Sequence, residues 1–170
     1  MSKKLIFKNL HERIEIVHKG AYNVCHEIFG EVFKNSGNIG IFCQTENEYK
    51  TFEQLATQLT KKSTDLNQKY FELLEPIKLD FTNETISYTH LYIRKPEANN
   101  YGKNLGDIDF RLDKIKFESI YEKVLNKTLD PRVGIYIYKN LTMLEVKDLS
   151  TPALAYLAVP GTAEKMRFRF

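Results

Sequence analysis

The sequence predicts an α+β fold: two βαβββ units forming curled mixed and antiparallel sheets with helices outside, plus an N-terminal helical extension. Three observations predict it. Residues 8–34 carry apolar side chains at steps of three and four, the mark of an amphipathic helix. From residue 38 onward, short β-rich runs alternate with helical ones. The order strand, helix, strands then occurs twice, over 37–97 and again over 106–160.

The first helix follows Leu10, Ile14, Val17, Ala21, Val24, Ile28 and Val32. Gly20 costs about 1 kcal/mol relative to Ala inside a helix, so the segment reads as one helix or as two joined there. "NSGN" at 35–38 ends it. "NIGIFCQ" at 38–44 is the first strand, and "ENEYKTFEQLATQLTKK" at 46–62 has helical spacing at Tyr49, Phe52, Leu55 and Leu59. Thr45 and Glu48 stand where a capping box needs them. "YFELLEPIKLDF" and "TISYTHLYIRKP" read as strands joined by a turn at Asn83.

The series then restarts. "GDIDFRLD" at 106–113 alternates strictly, and "KFESIYEKVLN" at 116–126 is helical. Residues 133–148 read as a hairpin about Lys139-Asn140, and "ALAYLAV" at 153–159 as the last strand. This divides the chain into an extension (1–36), a duplicated domain (37–160) and a tail (161–170). Residues match as well as elements. Gly37-Asn38-Ile39 aligns with Gly106-Asp107-Ile108, and in the last strands Tyr92 aligns with Tyr156 and Pro96 with Pro160. The second copy is slightly shorter.

Two units of this kind, with strings such as "NIGIFCQTENEYKTFEQLATQL" and "GDIDFRLD", resemble the vicinal oxygen chelate superfamily of glyoxalase and bleomycin-resistance-like proteins. The resemblance covers residues 38–160. It implies two sheets curled around a cleft, helices on the outer faces, and chemistry of the lyase, isomerase or dioxygenase kind. It also implies metal ligands, usually His, Gln or Glu, on the first and last strands of each unit. Those strands offer Asn38, Gly40 and Phe42, then His90 or Tyr92, Asp107 or Asp109, and Leu154 or Tyr156. Only His90 and the aspartates among them coordinate strongly, with Glu145 outside the pattern. A catalytic zinc takes three protein ligands, so no metal ligands are assigned and the cofactor stays unidentified.

Side chains alternate along a strand, so parity assigns faces. Ile108, Phe110 and Leu112 should lie under the helices, as should Leu91 with Ile93 and Leu144 with Val146. The opposite face then collects the candidate site. His90 is a candidate general base that Asp109 or Glu145 could orient, and these three are the catalytic candidates. Tyr92, Arg94, Arg111, Tyr136 and Tyr138 are the ligand-binding candidates, Arg94 because a guanidinium grips carboxylate or phosphate with two parallel bonds. Two readings of this face stand side by side: a solvated face of an antiparallel sheet, or a concave ligand site.

Composition limits the function classes. A net charge of +3, with basic clusters only at "MSKK" and "KMRFRF", disfavours a nucleic-acid partner. Cys25 and Cys43 lack the CxxC spacing of zinc or redox sites. No apolar run is long enough to span a membrane and no secretory leader is recognisable, so a cytoplasmic location without membrane partners is expected. The reading is a small-molecule-binding protein of glyoxalase-like fold, its ligand unidentified and its status as an enzyme open. The alternative is a protein-interaction module whose N-terminal stripe docks on a partner or on a second copy as a homodimer. Burial of Leu10, Ile14, Val17, Val24 and Ile28 against the chain itself would weaken that alternative.

Overall fold

A computed structural model describes residues 3–96 and 101–169. The elements are α1 (Lys3–Phe29), β1 (Asn35–Phe42), α2 (Glu46–Leu59), β2 (Phe71–Phe81), β3 (Glu84–Arg94), β4 (Gly106–Arg111), α3 (Lys114–Leu125), β5 (Val133–Tyr138), β6 (Leu141–Lys147), β7 (Ala153–Ala158) and α4 (Thr162–Met166). All strands join one seven-stranded mixed sheet in the order β2-β3-β1-β4-β7-β6-β5, which does not close into a barrel.

The sheet has a pseudo-two-fold plan. β1 and β4 run antiparallel at its centre, and each is flanked by the last strand of its own unit, running parallel to it: β3 beside β1, β7 beside β4. Gly40 pairs with Tyr92 and Asp109 with Tyr156, so the aligned tyrosines hold equivalent rungs. Ile39 and Ile108, also aligned, stand directly opposite each other.

The units differ in one respect. The second is βαβββ, but the first has only two strands after its helix. The segment between α2 and β2, "KKSTDLNQK", is polar and does not alternate, so it has no face to bury. The isolated bridges Thr60↔Leu73 and Gln68↔Phe168 are its pairings outside the named strands. β2 is itself irregular. Its ladder to β3 shifts register between Glu72 and Ile77, where Pro76 lacks the N–H that pairing needs.

Local chemistry explains the helix starts. Thr45 accepts the Glu48 N–H at 3.1 Å, and the Glu48 carboxylate accepts the Gln44 N–H at 2.7 Å, a capping box shifted by one residue. Asp113 caps α3 by accepting the Lys116 N–H at 2.9 Å. α1 runs unbroken through Gly20. The glycine is there for close approach, since a Cβ on it would lie 2.3 Å from Thr151 Oγ1 and 2.9 Å from Ala153 Cβ.

α1 is therefore no appendage. It lies across one face of the sheet, chiefly against β7 and β4. Leu10, Ile14, Val17, Ala21 and Val24 are buried there beside Ile39, Ile108 and Leu157, and Ile28 is partly buried. Each Leu, Ile or Val among them contributes roughly 1.5–3 kcal/mol when fully covered. The stripe is occupied by the chain's own sheet and is not open to a partner. His18, on the same helix, is a core histidine. It bonds the Tyr88 hydroxyl at 2.7 Å and the Asp80 carbonyl at 3.2 Å. A carbonyl can only accept, so Nε2 carries the proton and Nδ1 accepts from Tyr88.

The face assignments by parity hold in these strands. Ile108, Phe110, Leu112, Leu91, Leu144 and Val146 belong to the helix-side core. The opposite face is covered over part of its area. Phe42, Met143, Leu154 and Tyr156 form a second apolar cluster there, closed by Met166 from α4. Met143, on this face, is 1% exposed. The segment expected to be a mere tail thus supplies a short helix that roofs this face.

Candidate functional site

The roofed face carries a row of polar side chains along one rung of the sheet. His90 on β3 stands beside Asn38 on β1, and Asp109 on β4 stands beside Tyr156 on β7, which in turn pairs with Glu145 on β6. The Asn38 amide joins the central two strands. Its Nδ2 donates to Asp109 Oδ2 at 2.9 Å and to the Ala163 carbonyl at 3.0 Å, and its Oδ1 accepts from Arg167 Nε at 2.9 Å. α4 and the residues after it are thereby pinned to the carboxylate.

Asp107 lies one rung along, over Gly40. A Cβ on Gly40 would fall 2.0 Å from Asp107 Oδ1, so glycine makes the room that this carboxylate fills. The Tyr70 hydroxyl donates to the same oxygen at 3.2 Å. Asp107 and Asp109 are both buried. Burial, and for Asp109 the neighbouring Asp107, favours the protonated forms, and the Asp109 carboxyl is pushed up to about 7. Tyr70 is held well above the ordinary phenol range, by burial first and then by the two aspartates.

The cation facing this acidic pair is Lys69. Its Nζ lies 5.4 Å from the Tyr70 ring centroid, 5.1 Å from Tyr92 and 5.8 Å from Tyr138, a cage of three π-faces. Burial lowers its pKa, while attraction to Asp107 and then Asp109 opposes that shift. Tyr92 belongs to β3 and Tyr138 to β5, near opposite ends of the sheet order. That both rings reach one ammonium requires the sheet to curl, and Lys69 spans the mouth of the curl. The loop that carries it is tied down by the chain's end. The Lys69 and Tyr70 N–H groups donate to the Arg167 carbonyl at 2.7 and 3.1 Å, and the Arg169 N–H donates to Asn67 O at 2.7 Å.

Outside this bridge lies a cavity of about 510 Å³, bounded by α2, the loop after it and the edge of β3. Tyr49, Ala56, Phe71, Leu91, Tyr92 and Ile93 give it apolar walls. Lys61, Lys62, Lys69 and Arg169 bring positive charge, against Glu53 on the α2 side. A second, more aliphatic groove of about 460 Å³ runs between Leu10, Ile14, Leu59, Leu73 and Pro76, where β2 departs from regular pairing.

The sequence-derived candidates distribute as follows. His90, Asp109 and Glu145 occupy one rung but do not meet. Strands lie about 4.8 Å apart, so His90 is about 10 Å from Asp109 and farther from Glu145 along the sheet. Among the described residues, neither carboxylate bonds His90. Its Nδ1 is 2.9 Å from Thr89 Oγ1, and Glu145 instead accepts from the Tyr156 hydroxyl at 3.0 Å. Burial and then Arg167 lower the His90 pKa. The Arg94 guanidinium stacks 3.9 Å from the Tyr101 centroid and 5.6 Å from that of Phe42. Arg111 is exposed at the end of β4. Tyr136 packs at 5.1 Å against Tyr156. Tyr92 and Tyr138 do converge, on Lys69.

The sequence does not single out Lys69, Tyr70 or Arg167, and Asn38, a position the resemblance named for a ligand, acts as a hydrogen-bonding bridge. Lys69 and Tyr70 follow a polar segment without periodicity, and only the curl of the sheet gives them their neighbours. Among the described residues, no three His, Cys, Asp or Glu side chains are grouped so as to hold a metal ion. No described helix is long and apolar enough to cross a membrane. Comparison with family models, curated proteins and solved structures finds no match to the chain.

Proposed function

We propose that the protein binds a small molecule in the 510 Å³ cavity beside Lys69. The observation that carries this reading is the placement of that cavity. It lies where the curl of the sheet brings Tyr92 and Tyr138, one from each half, onto a single half-buried ammonium. Concave sites of roughly 300–1,000 Å³ with apolar walls and a few polar groups are the usual form of small-molecule sites. The glyoxalase-like reading remains part of the proposal. Its support is the pseudo-two-fold plan of the sheet and the row of polar side chains along the face opposite α1. Tyr92 serves as a ligand-facing ring, Tyr138 supports Lys69 from the other side, and His90 and Asp109 act as groups fixed behind them.

A plugging variant tests the site. Ala56→Trp fills the cavity from α2, at a position that is only partly buried. Fragments that bind the parent protein in two-dimensional NMR should no longer bind this variant, whose fold is checked by circular dichroism. If fragments instead perturb Leu10, Leu59 and Leu73 and bind the variant unchanged, the site lies in the aliphatic groove and the proposal is wrong.

A further inference from the structure

The charge on the cavity wall is not balanced by the groups that form it. Lys61 is engaged by Glu72 at 2.6 Å. Lys69 faces Asp107 and Asp109. Glu53 accepts the Tyr49 hydroxyl. Lys62 and Arg169 line the same cavity, and among the described residues neither has a carboxylate within ion-pair distance. They approach from different parts of the chain, Lys62 from the loop after α2 and Arg169 from the C-terminal segment, which is held to Asn67 by a 2.7 Å backbone bond. The lining between them is apolar: Phe71, Leu91 and Ile93, with the Tyr49 and Tyr92 rings, whose faces suit a flat body, alongside. Leu66, 97% exposed, stands at the rim and would be covered by an occupant.

Building on the small-molecule reading above, we infer that the ligand is an organic anion with a flat apolar body, its carboxylate or phosphate held by Lys62 and Arg169. Guanidinium and ammonium at the rim supply bidentate and point-charge contacts to such a head group, and ring faces supply stacking area to the body. A cation would meet uncompensated like charge there. A bare inorganic anion would leave the apolar floor unused.

The test titrates the whole chain with four probes: 2-naphthoate, 2-naphthamide, 2-naphthylmethylammonium and inorganic phosphate. Affinities come from calorimetry and positions from NMR. 2-Naphthoate should bind best, at the cavity, with the amide and phosphate each at least tenfold weaker and the ammonium weaker still. Lys62→Glu with Arg169→Glu should weaken 2-naphthoate at least tenfold and improve the ammonium probe. Lys62→Ala with Arg169→Ala should weaken 2-naphthoate without improving the ammonium, which guards against a misfolded reversal variant. If the acid, amide and ammonium bind equally in the cavity, the anion inference falls while the cavity reading stands. Phosphate binding as tightly as 2-naphthoate removes the apolar body from the inference. If none of the four binds in the cavity, the reading beneath it fails as well.

Discussion

Gly20→Ala should destabilise the protein although alanine is the better helix former. On an isolated helix the exchange is worth about 1 kcal/mol in favour of alanine. Here the new methyl would sit 2.3 Å from Thr151 Oγ1 and 2.9 Å from Ala153 Cβ. The first contact can be eased by turning the threonine side chain. The second cannot, because Ala153 begins β7 and is fixed by its pairing with Gly106. Overpacking a tight contact costs about 1–3 kcal/mol, and more when backbone must move. With Ala153 fixed, the cost lies in the upper part of that range, about 2–3 kcal/mol, and subtracting the helical gain leaves a net loss of about 1–2 kcal/mol, or roughly 2–8 °C in Tm for a domain of this size. Thermal melts followed by circular dichroism measure it. Thr151 provides a control, since its hydroxyl is buried without a hydrogen-bond partner among the described residues. Thr151→Ala alone should therefore cost little, and added to Gly20→Ala it should restore part of the loss by removing the 2.3 Å contact. A Gly20→Ala protein that melts at or above the parent temperature would refute the close-approach argument.

Three further predictions concern the polar interior. Asp109 has a folded-state pKa raised to about 7, so it contributes stability at low pH that is lost as pH climbs from about 4 through 7. Asp109→Asn should therefore gain on the parent between pH 5 and pH 8 in urea titrations, and a gap that does not change with pH would contradict the burial argument. Tyr88→Phe removes the hydroxyl that His18 Nδ1 accepts, leaving a buried acceptor unpaired at a cost of about 1–3 kcal/mol; an unchanged unfolding midpoint would show that the 2.7 Å contact contributes nothing. Gly40→Ala places a methyl where Asp107 Oδ1 now lies, 2.0 Å from an ideal Cβ. It should shift the Tyr70 and Lys69 resonances in NMR spectra and lower Tm, whereas an unperturbed Tyr70 would mean the carboxylate is not seated over residue 40.

Much of the fold was legible because it depends on local periodicity. The step of three and four in Leu10, Ile14, Val17 and Ala21 gave a helix, and the strict alternation of "GDIDFRLD" gave both a strand and its two faces. The aligned tyrosines, Tyr92 and Tyr156, anticipated a shared register. What escaped depends on neighbours distant in sequence. Gly20 reads as a weak point in a helix until Thr151 and Ala153 come against it. Asp109 reads as a cleft residue because nothing near it in the chain says that Ala163 and Arg167 will cover it through Asn38. Lys69 sits in a stretch without apolar pattern, and its tyrosine cage exists only once the sheet has curled. His90 and Glu145 share a face, as parity requires, but parity is silent about distance across strands. That is why a face could be read from the sequence and a constellation could not.

The docking of α1 on β7 also constrains how the protein is made. α1 leaves the ribosome before residues 153–158, the strand that covers it most. Until β7 emerges, Leu10, Ile14, Val17 and Ala21 are only partly covered by the elements made before it, and the nascent chain carries a greasy ridge open to chaperones or to self-association. Chains terminated before β7 should accumulate as aggregates, not as a smaller stable domain, because β7 must be made before α1 can settle.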